Sequence, residues 1–397
     1  AIADHGFQVD LIEKEENLGG NLLWLRHTLG GNPTQEFLDE MVQKTERHPK
    51  IEIHTQSRVV NSLGRIGEFY TTVENQQGDM KTIEHGVIIL STGGTEASTD
   101  AYGYGSNESI ITQKELEIKL TDQTIDPAQL NSVVMIQCVG SREEPRNYCS
   151  RVCCNSALKH ALNLKEKKPD LPIYILYRDM MSYGFNETYF TQARRAGVFF
   201  IQYNPENKPE VESADGSIKV KLNEPILQKQ VEIDTDLLVL ATGVNPNLPP
   251  DLTNAMGVHR DEFGFFKEAE SKWRPVDSLK DGIFACGLAH SPRSINETVA
   301  TAEAAAQRAL RVIVQKSLPS GKVVAKVRHS ICSLCELCID TCPYEARFLD
   351  EETGQVQVNS LMCQGCGSCA AVCPNGATIL EGYSRKQILQ SIDAVFV

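Results

Sequence analysis

The sequence predicts an α/β fold in which doubly wound domains are followed by a small cysteine-rich domain. Strand-like and helix-like segments alternate through residues 1–318, which is the pattern of α/β domains. Eight of the 13 cysteines then fall within residues 332–373 at a repeated spacing. These two observations divide the chain into an α/β part and a cysteine-rich part.

Short apolar or β-rich runs place the expected strands of the α/β part. They lie at residues 7–12, 51–54, 69–74, 87–90, 133–137, 173–177 and 237–241. A hairpin is expected to join residues 218–222 and 231–233. Helices are expected at residues 34–47, 156–167, 297–315 and, in the tail, 384–396.

The order of these segments predicts one domain inserted into another. Residues 1–100 and 237–318 are expected to be the two segments of the outer domain, and residues 101–236 the insertion. The Leu-Pro-Ser-Gly stretch at residues 318–321 is expected to be a linker. Beyond it we expect the cysteine-rich domain at residues 322–380 and a tail helix within residues 381–397.

Composition and charge narrow the function classes. The net charge of −13 disfavours binding to nucleic acid, which needs clustered Lys and Arg. The longest apolar runs have the length of strands, so no membrane span is expected. A disulfide scaffold would be small and secreted, whereas these cysteines cluster at ligand spacings in a long chain. The expected setting is a reducing cytoplasm, with metal clusters in the protein.

The cysteine-rich part repeats one motif, CxxCxxCxxxCP. Its cysteines are Cys332, Cys335, Cys338 and Cys342 in the first copy, and Cys363, Cys366, Cys369 and Cys373 in the second. This is the spacing of ferredoxins that carry two 4Fe–4S clusters. Zinc and unliganded thiols are the alternatives, but zinc sites usually show two CxxC pairs.

In two-cluster ferredoxins the fourth cysteine of each motif binds the other cluster. We therefore expect Cys373 to complete the cluster held by the first three cysteines of the first motif. By the same rule, Cys342 is expected to complete the cluster of the second motif. Two clusters this close together would make the domain a conductor of electrons.

The first expected strand ends at an acidic residue, as in dinucleotide-binding folds. Glu13 and Lys14 follow that strand, and Gly20-Asn21 comes shortly after. An acidic residue in this place binds ribose hydroxyls in such folds. The glycine-rich turn that should precede Glu13 by about 20 residues is absent. We therefore expect the sequence to begin inside a Rossmann unit whose turn lies upstream.

Two strands that end in Thr-Gly and a late glycine turn before a helix resemble the FAD domain of the thioredoxin reductase and glutathione reductase class. The glycine turn departs from that class, because Gly287-Leu288 stands where Gly-Asp is usual. The helix after the turn is expected to direct its N-terminus at the flavin. The expected FAD contacts of this part are Thr92, Gly93, Gly243, Gly287, Ser294, Ile295 and Thr298.

The inserted region lacks the glycine loop of a nucleotide site. Only Gly140 follows the strand at residues 133–137, where three glycines are wanted, so we expect the nucleotide site to be lost. Four cysteines stand in its place: Cys138, Cys149, Cys153 and Cys154. Three interpretations stay open on spacing alone, namely buried thiols, a redox dithiol and a 4Fe–4S cluster of unusual spacing.

The chain as a whole resembles the flavin-containing A subunits of heterodisulfide reductases and their bacterial relatives. The matching stretches are LIEKEENLGG at residues 11–20, AYGYG at 101–105, IQCVGSREEPRNYCSRVCC at 136–154, residues 282–306 and the tandem cysteine motif. The resemblance implies FAD, the two ferredoxin clusters and an unusual cluster on the four cysteines of the inserted region. It also implies membership of a larger complex, in which the chain bifurcates or distributes electrons from a hydrogenase- or formate dehydrogenase-type donor to ferredoxin and a disulfide or other acceptor.

Alternatives to that function are an NAD(P)H-dependent disulfide reductase and a conducting subunit of a quinone-linked or acyl-CoA reductase complex. Lys159, five residues after Cys154, is the candidate catalytic residue, because a lysine near the flavin would stabilise a negatively charged reduced ring. A solvated helix lysine is the alternative for that position. His290 is expected to be structural.

Overall fold

Two groups of strands form the N-terminal region of the computed structural model, which describes residues 1–214, 217–226, 228–315, 323–360 and 362–395. Strands β1 (Val9–Ile12) and β2 (Ile51–His54) pair in parallel, and helix α1 (Gln35–Glu46) connects them. An antiparallel meander follows, made of β3 (Ser57–Arg65), β4 (Glu68–Asn75) and β5 (Met80–His85).

A second sheet brings the two ends of the α/β part together. Its order is β17-β18-β19-β6, where β6 is Ile88–Leu90, β17 is Glu268–Glu270, β18 is Arg274–Ser278 and β19 is Ile283–Ala285. Strands β19 and β6 are parallel although almost two hundred residues separate them. Helices α5 (Pro250–Met256) and α6 (Ile295–Ile313) belong to the same region. This arrangement makes residues before the insertion and residues after it one domain.

The inserted region is a five-stranded parallel sheet in the order β11-β10-β9-β15-β8. The strands are β8 (Ile110–Thr112), β9 (Val133–Ile136), β10 (Ile173–Tyr177), β11 (Val198–Gln202) and β15 (Leu237–Leu240). Helices α2 (Gln113–Thr121), α3 (Cys153–Lys167) and α4 (Glu187–Arg195) connect them. The side chains of β9 and β15 are buried throughout, as expected for central strands of a covered sheet.

Two smaller pieces complete the insertion. An antiparallel meander runs through β12 (Glu210–Ala214), β13 (Ser217–Glu224) and β14 (Lys229–Thr235). The short antiparallel pair of β7 (Gly94–Glu96) and β16 (Val244–Pro246) lies where the chain enters and leaves the inserted sheet. The hairpin expected from the sequence is the β13–β14 part of this meander.

The cysteine-rich domain is built from two similar halves. Strands β20 (Ala325–Val327) and β23 (Thr378–Leu380) pair with each other, as do β21 (Arg347–Asp350) and β22 (Gln355–Val358). Each half has one short helix, α7 (Leu337–Asp340) and α8 (Ser368–Ala371), and helix α9 (Arg385–Val395) follows. Among the described residues, no helix is both long and apolar enough to cross a membrane.

One expected boundary differs in the structure. Residues 237–240 were expected to open the second outer segment, but they form β15, between β9 and β8 in the inserted sheet. The four-residue apolar run is fully buried there, which a central parallel strand requires. The segment at residues 318–321, expected to be a linker, lies outside the described residues.

Candidate cofactor sites

The second cysteine motif and the last cysteine of the first motif meet around one small cavity. Its lining includes Cys342, Cys363, Cys366 and Cys369, together with Tyr344 and Arg347. These four cysteines are the set that the crossed assignment expects for the second cluster. The structure therefore brings the members of this set together, although Cys342 is separated from the others by 20 residues or more.

The remaining four cysteines are the set expected for the first cluster. Cys332 and Cys338 pack in the same apolar cluster as Cys342, while Cys335 is exposed. Asn375, two residues after Cys373, donates its amide Nδ2 to the carbonyl of Ile331 at 3.3 Å. This bond ties the segment that follows Cys373 to the residue just before Cys332.

The two motifs have matching backbone conformations. Residues two and four positions after the first cysteine have positive φ in both copies: Leu334 at 54°, Glu336 at 59°, Gly365 at 64° and Gly367 at 84°. Gly365 needs to be glycine, because a Cβ there would lie 2.4 Å from the Val323 carbonyl oxygen. A chain that turns in this way is suited to wrap around a cluster.

Main-chain donors reach the fourth cysteine of each motif at the same offset. The N–H of Ala346 donates to Sγ of Cys342 at 3.4 Å, and the N–H of Ala377 donates to Sγ of Cys373 at 3.1 Å. Although partial burial opposes it, donation from backbone N–H groups lowers the pKa of Cys373. Donors of this kind stabilise thiolates, the form in which cysteine binds metal.

The four cysteines of the insertion also converge. Cys138 follows the carboxyl end of β9, Cys149 lies in the loop after it, and Cys153 and Cys154 begin α3. They lie close enough for the charges of Cys138, Cys149 and Cys154 to act on Cys153. The main-chain N–H of Arg151 donates to Sγ of Cys149 at 3.3 Å. The structure thus gathers these cysteines at the edge of the sheet where nucleotide-binding folds hold their ligand.

The middle loop, residues 138–152, is fastened to the turn that follows β15. Hydroxyl Oγ of Ser141 donates to the carbonyl of Thr242 at 3.0 Å, and the N–H of Val244 donates to Oγ of Ser150 at 2.9 Å. A Cβ on Gly243 would lie 2.6 Å and 2.7 Å from the Ser150 and Ser141 hydroxyl oxygens. Gly243 is thus packed against the middle loop, and the flavin contact expected of it stays a prediction.

The space beside Gly140 is taken by an arginine. A Cβ on Gly140 would lie 2.9 Å from Nη2 of Arg146, and Nη1 of Arg146 donates to the Thr242 carbonyl at 2.6 Å. Close approach of a pyrophosphate is what the glycines of a nucleotide loop provide. The structure therefore agrees with the absence of such a loop from the sequence.

Burial favours the protonated form of three of the four middle thiols when no metal is bound. It raises the pKa of Cys138, raises that of Cys153 strongly and raises that of Cys154 to about 12. A redox dithiol needs a thiolate at neutral pH, which low pKa values supply. The dithiol interpretation is therefore disfavoured, and the choice lies between inert thiols and metal ligands.

On the outer domain, a large cleft runs between β1 and β6. Glu13, Lys14 and Thr92 line it together with apolar side chains of both strands. The Oγ1 hydroxyl of Thr92 is buried without a hydrogen-bond partner among the described residues. A buried hydroxyl of this kind is normally paired, so a polar ligand group would suit the position. The residues fit the adenosine side of an FAD site.

Other expected flavin residues cluster beside this cleft. Amide Nδ2 of Asn21, which follows Gly20, donates to the carbonyl of Gly94 at 2.8 Å. Leu288 lies against the same glycine, since a Cβ on Gly94 would be 3.2 Å from Cβ of Leu288. A Cβ on the neighbouring Gly287 would lie 3.1 Å from Cγ2 of Thr298. The late glycine turn and the Thr-Gly strand end thus approach each other.

Helix α6 begins with a capping box next to the middle loop. Its N-cap is Ser294, whose Oγ accepts from the N–H of Glu297 at 3.4 Å, and the helix starts at Ile295. Oε1 of Glu297 lies 2.5 Å from Nη2 of Arg151. Arg151 belongs to the middle loop and stands between Cys149 and Cys153 in the sequence. The helix expected at the flavin and the middle loop are therefore in direct contact.

Comparison with known proteins identifies the cysteine-rich part first. A family model described as a 4Fe-4S dicluster domain matches residues 319–377, which contain all eight cysteines of the tandem motif. The domain is an iron–sulfur domain.

Two curated relatives resemble most of the chain. It is 32% identical over 363 residues to the A subunit of the ferredoxin:CoB-CoM heterodisulfide reductase of Methanosarcina acetivorans, covering 81% of this chain and 45% of the relative. It is 30% identical over 495 aligned positions to the iron-sulfur A subunit of the CoB–CoM heterodisulfide reductase of Methanocaldococcus jannaschii, covering 99% of this chain and 74% of the relative.

The chain belongs to the heterodisulfide reductase A-subunit family. It is part of an oxidoreductase, and it spans about half the length of the Methanosarcina relative. Among solved structures, T. acidophilum thioredoxin reductase aligns with a TM-score of 0.54 at 17% identity, covering 79% of this chain and 93% of that one. The α/β part has a thioredoxin-reductase-like fold, as the sequence predicted.

In this member of the heterodisulfide reductase A-subunit family, the candidate catalytic lysine is paired with a buried carboxylate. Nζ of Lys159 lies 2.8 Å from Oε2 of Glu117 and donates to the His27 carbonyl at 3.2 Å. The side chains of Lys159 and Glu117 are 12% and 7% exposed. Lys159 is therefore not the solvated helix lysine that was the alternative. Whether it acts on a flavin stays a prediction.

Three residues near the cysteines were not expected from the sequence. Arg142 and Arg151 in the middle loop reach Asp179 and Glu297, respectively, and Glu96 lies close enough for its charge to act on Cys153. The only signal in the sequence was the density of arginines between Cys138 and Cys153. His290, expected to be structural, lies with Nε2 3.5 Å from Oε1 of Glu268.

Proposed function

We propose that this chain is the FAD- and iron–sulfur-dependent electron-transfer subunit of a heterodisulfide-reductase-like complex. It would take electrons from a hydrogenase- or formate dehydrogenase-type donor and bifurcate or distribute them to ferredoxin and to a disulfide or another acceptor. Two of these reactants, ferredoxin and the CoB–CoM heterodisulfide, are those in the name of the Methanosarcina relative. The other partners would be further subunits of the complex.

The observation that carries the proposal is the replacement of a nucleotide site by four converging cysteines. The reductases of this fold that use NAD(P)H need a glycine loop at the carboxyl end of the first strand of the inserted sheet. Here Cys138 takes that place, Arg146 fills the space beside Gly140, and Cys153 and Cys154 open the following helix. Under this proposal the chain would receive its electrons from partner proteins and not from NAD(P)H.

The residues that would hold each group follow from their placement. FAD would lie along the cleft at Glu13, Lys14 and Thr92 and reach the turn at Gly287. Gly20, Asn21, Gly93, Ser294, Ile295 and Thr298 are the other proposed contacts. When bound, the flavin exchanges electrons in pairs and each cluster exchanges one electron at a time. Each set of four cysteines would hold one 4Fe–4S cluster, so the chain would carry three.

The three cysteine sets lie in an order that suits conduction. The middle loop contacts the flavin-side helix α6 through Arg151 and Glu297. Gln364, between Cys363 and Cys366, donates to the Leu279 carbonyl of the outer domain at 3.4 Å and accepts from Arg274. Gln364 of the second motif therefore contacts the outer domain, while Cys335 of the first set and Cys366 of the second are both exposed and would be accessible to partner proteins.

Metal and flavin analysis of the complete polypeptide, purified anaerobically in its complex, tests the proposal. We expect FAD together with about twelve irons or more, because each of the three cysteine sets would hold four. Reduction by NADH of the purified protein, with saturable binding, would contradict it and favour a self-contained NAD(P)H-dependent disulfide reductase. Clusters without any flavin would favour a purely conducting role.

A further inference from the structure

Arg142 places a cationic side chain among the four middle cysteines, which are the proposed cluster ligands. Its own role is not explained by the cysteines alone. It lies four residues after Cys138 in a left-handed conformation with φ of 62°. Its Nη2 donates to Oδ2 of Asp179 at 2.6 Å. Its side chain is 28% exposed, so the guanidinium is held mostly within the protein.

Asp179, which holds Arg142, also contacts a second proposed ligand, Cys154. The carbonyl oxygen of Asp179 accepts from Sγ of Cys154 at 3.7 Å. Asp179 thus contacts Cys154 through its main chain and Arg142 through its side chain. The guanidinium is close enough to Cys138 to interact with its sulfur. One ion pair therefore connects two of the four cysteines.

One nitrogen of this guanidinium remains without an acceptor. Nη1 of Arg142 is buried and has no hydrogen-bond partner among the described residues. Leaving a charged donor buried and unpaired is costly, and native proteins rarely do so. The acceptors that a cluster on these cysteines would add are thiolate and sulfide sulfurs beside this nitrogen.

We propose that Arg142, held by Asp179, donates from Nη1 to a sulfur of the middle site and raises the midpoint potential of the cluster there. The inference rests on the proposed function, since it requires a cluster on the four middle cysteines. Reduction adds a negative charge, which a nearby cation and an N–H···S hydrogen bond stabilise. The middle cluster would then be easier to reduce than a cluster held by the same four thiolates without this arginine.

Arg178 provides a matched control beside the same loop. Its guanidinium donates to the carbonyls of Ser141 at 3.1 Å and of Arg142 at 3.2 Å. Replacing it removes the same charge and two loop contacts, but these contacts go to main-chain oxygens, and the charge of Arg178 acts on Cys138 less than that of Arg142 does. A general loosening of the loop would therefore affect both arginine variants.

The test is an EPR-monitored redox titration of the anaerobically purified complex. The middle cluster is recognised as the signal that a Cys153→Ala, Cys154→Ala double variant lacks. Arg142→Gln is expected to keep its iron and shift this midpoint to a more negative potential, whereas Arg178→Gln shifts it much less. If Arg142→Gln does not assemble, Arg142→Lys decides, and its midpoint is expected below that of the wild type.

The outcomes separate the two proposals. Unchanged midpoints in the assembled Arg142 variants, or an equal shift in Arg178→Gln, would overturn the role of Arg142 and leave the cluster in place. Equal iron and equal EPR spectra in the wild type and the double cysteine variant would overturn the cluster itself, and the role of Arg142 with it.

Discussion

Arg151 and Glu297 form an ion pair with 2.5 Å between Nη2 and Oε1, and it joins the middle loop to the first turn of helix α6. Oε1 of Glu297 also accepts from the hydroxyl of Tyr183 at 3.0 Å, and Oε2 accepts from the Ser294 N–H at 2.9 Å. One carboxylate thus caps helix α6 and fixes the middle loop, which contains Cys149 and leads into Cys153.

Replacing Arg151 should loosen this junction. In Arg151→Gln we expect faster amide hydrogen exchange in the first turn of α6 and in the middle loop, by about 5-fold for a loss of ~1 kcal/mol. Arg65→Gln is the control, because the Arg65–Glu68 pair is exposed and such pairs contribute little. Equal exchange in both variants would show that the Arg151–Glu297 pair does not hold the loop.

Gly243 should be needed for the middle loop rather than for the flavin. Gly243→Ala places a Cβ against the hydroxyls of Ser141 and Ser150 at a φ of 88°, so we expect it to lower iron content while flavin is retained. Gly78→Ala is the matched control, with a φ of 86°, open space around its Cβ and no place in a proposed cofactor site. Iron and flavin analysis of both variants checks this. Loss of flavin with full iron in Gly243→Ala would restore the flavin contact expected from the sequence.

The pairing of Lys159 with Glu117 predicts strong coupling between the two positions. Lys159→Met leaves a buried carboxylate without its cation, although Glu117 still accepts from the Arg26 N–H at 2.9 Å, and should cost about 3–5 kcal/mol of local stability. In the Glu117→Gln, Lys159→Met double variant, much of that loss should be recovered. Hydrogen exchange of α3 in the two single variants and the double variant measures the coupling. Additive losses, with a shifted flavin potential in Lys159→Met, would instead support the catalytic role expected from the sequence.

The cavity that Cys342 shares with Cys363, Cys366 and Cys369 predicts which cluster depends on it. Cys342→Ala should damage the cluster of the second motif and spare the one held by Cys332, Cys335 and Cys338. Cys373→Ala should show the reverse pattern. EPR of both variants in the reduced state distinguishes the two signals. Loss of only the first-motif signal in Cys342→Ala would refute the crossed assignment.

The sequence predicted secondary-structure elements correctly where a single local pattern of apolar residues determined them. Residues 51–54 and 173–177, expected as strands, are β2 and β10 with the same bounds, because short apolar runs between polar segments leave little choice. Strands β3 and β5 were not expected, since β3 has mainly exposed side chains and its pairing is set by the neighbouring strand β4. Such strands carry little apolar pattern of their own.

Long-range contacts account for what the sequence missed at the sites. The motif spacing was enough to group the ferredoxin cysteines, but the partner of Lys159 is Glu117, 42 residues earlier and on a different helix. Gly243 occupied the right kind of turn for a flavin contact. Its packing against Ser141 and Ser150 depends on a loop about a hundred residues away. These distances arise from the fold and leave no local trace in the sequence.

The central claim is that the inserted domain holds a cluster where related reductases hold a nucleotide, and iron content tests it most directly. The wild type is compared with the Cys153→Ala, Cys154→Ala double variant, both purified anaerobically as the complete polypeptide. The double variant is expected to lose about four irons and to keep its flavin. Unchanged iron together with saturable NADH binding would contradict it.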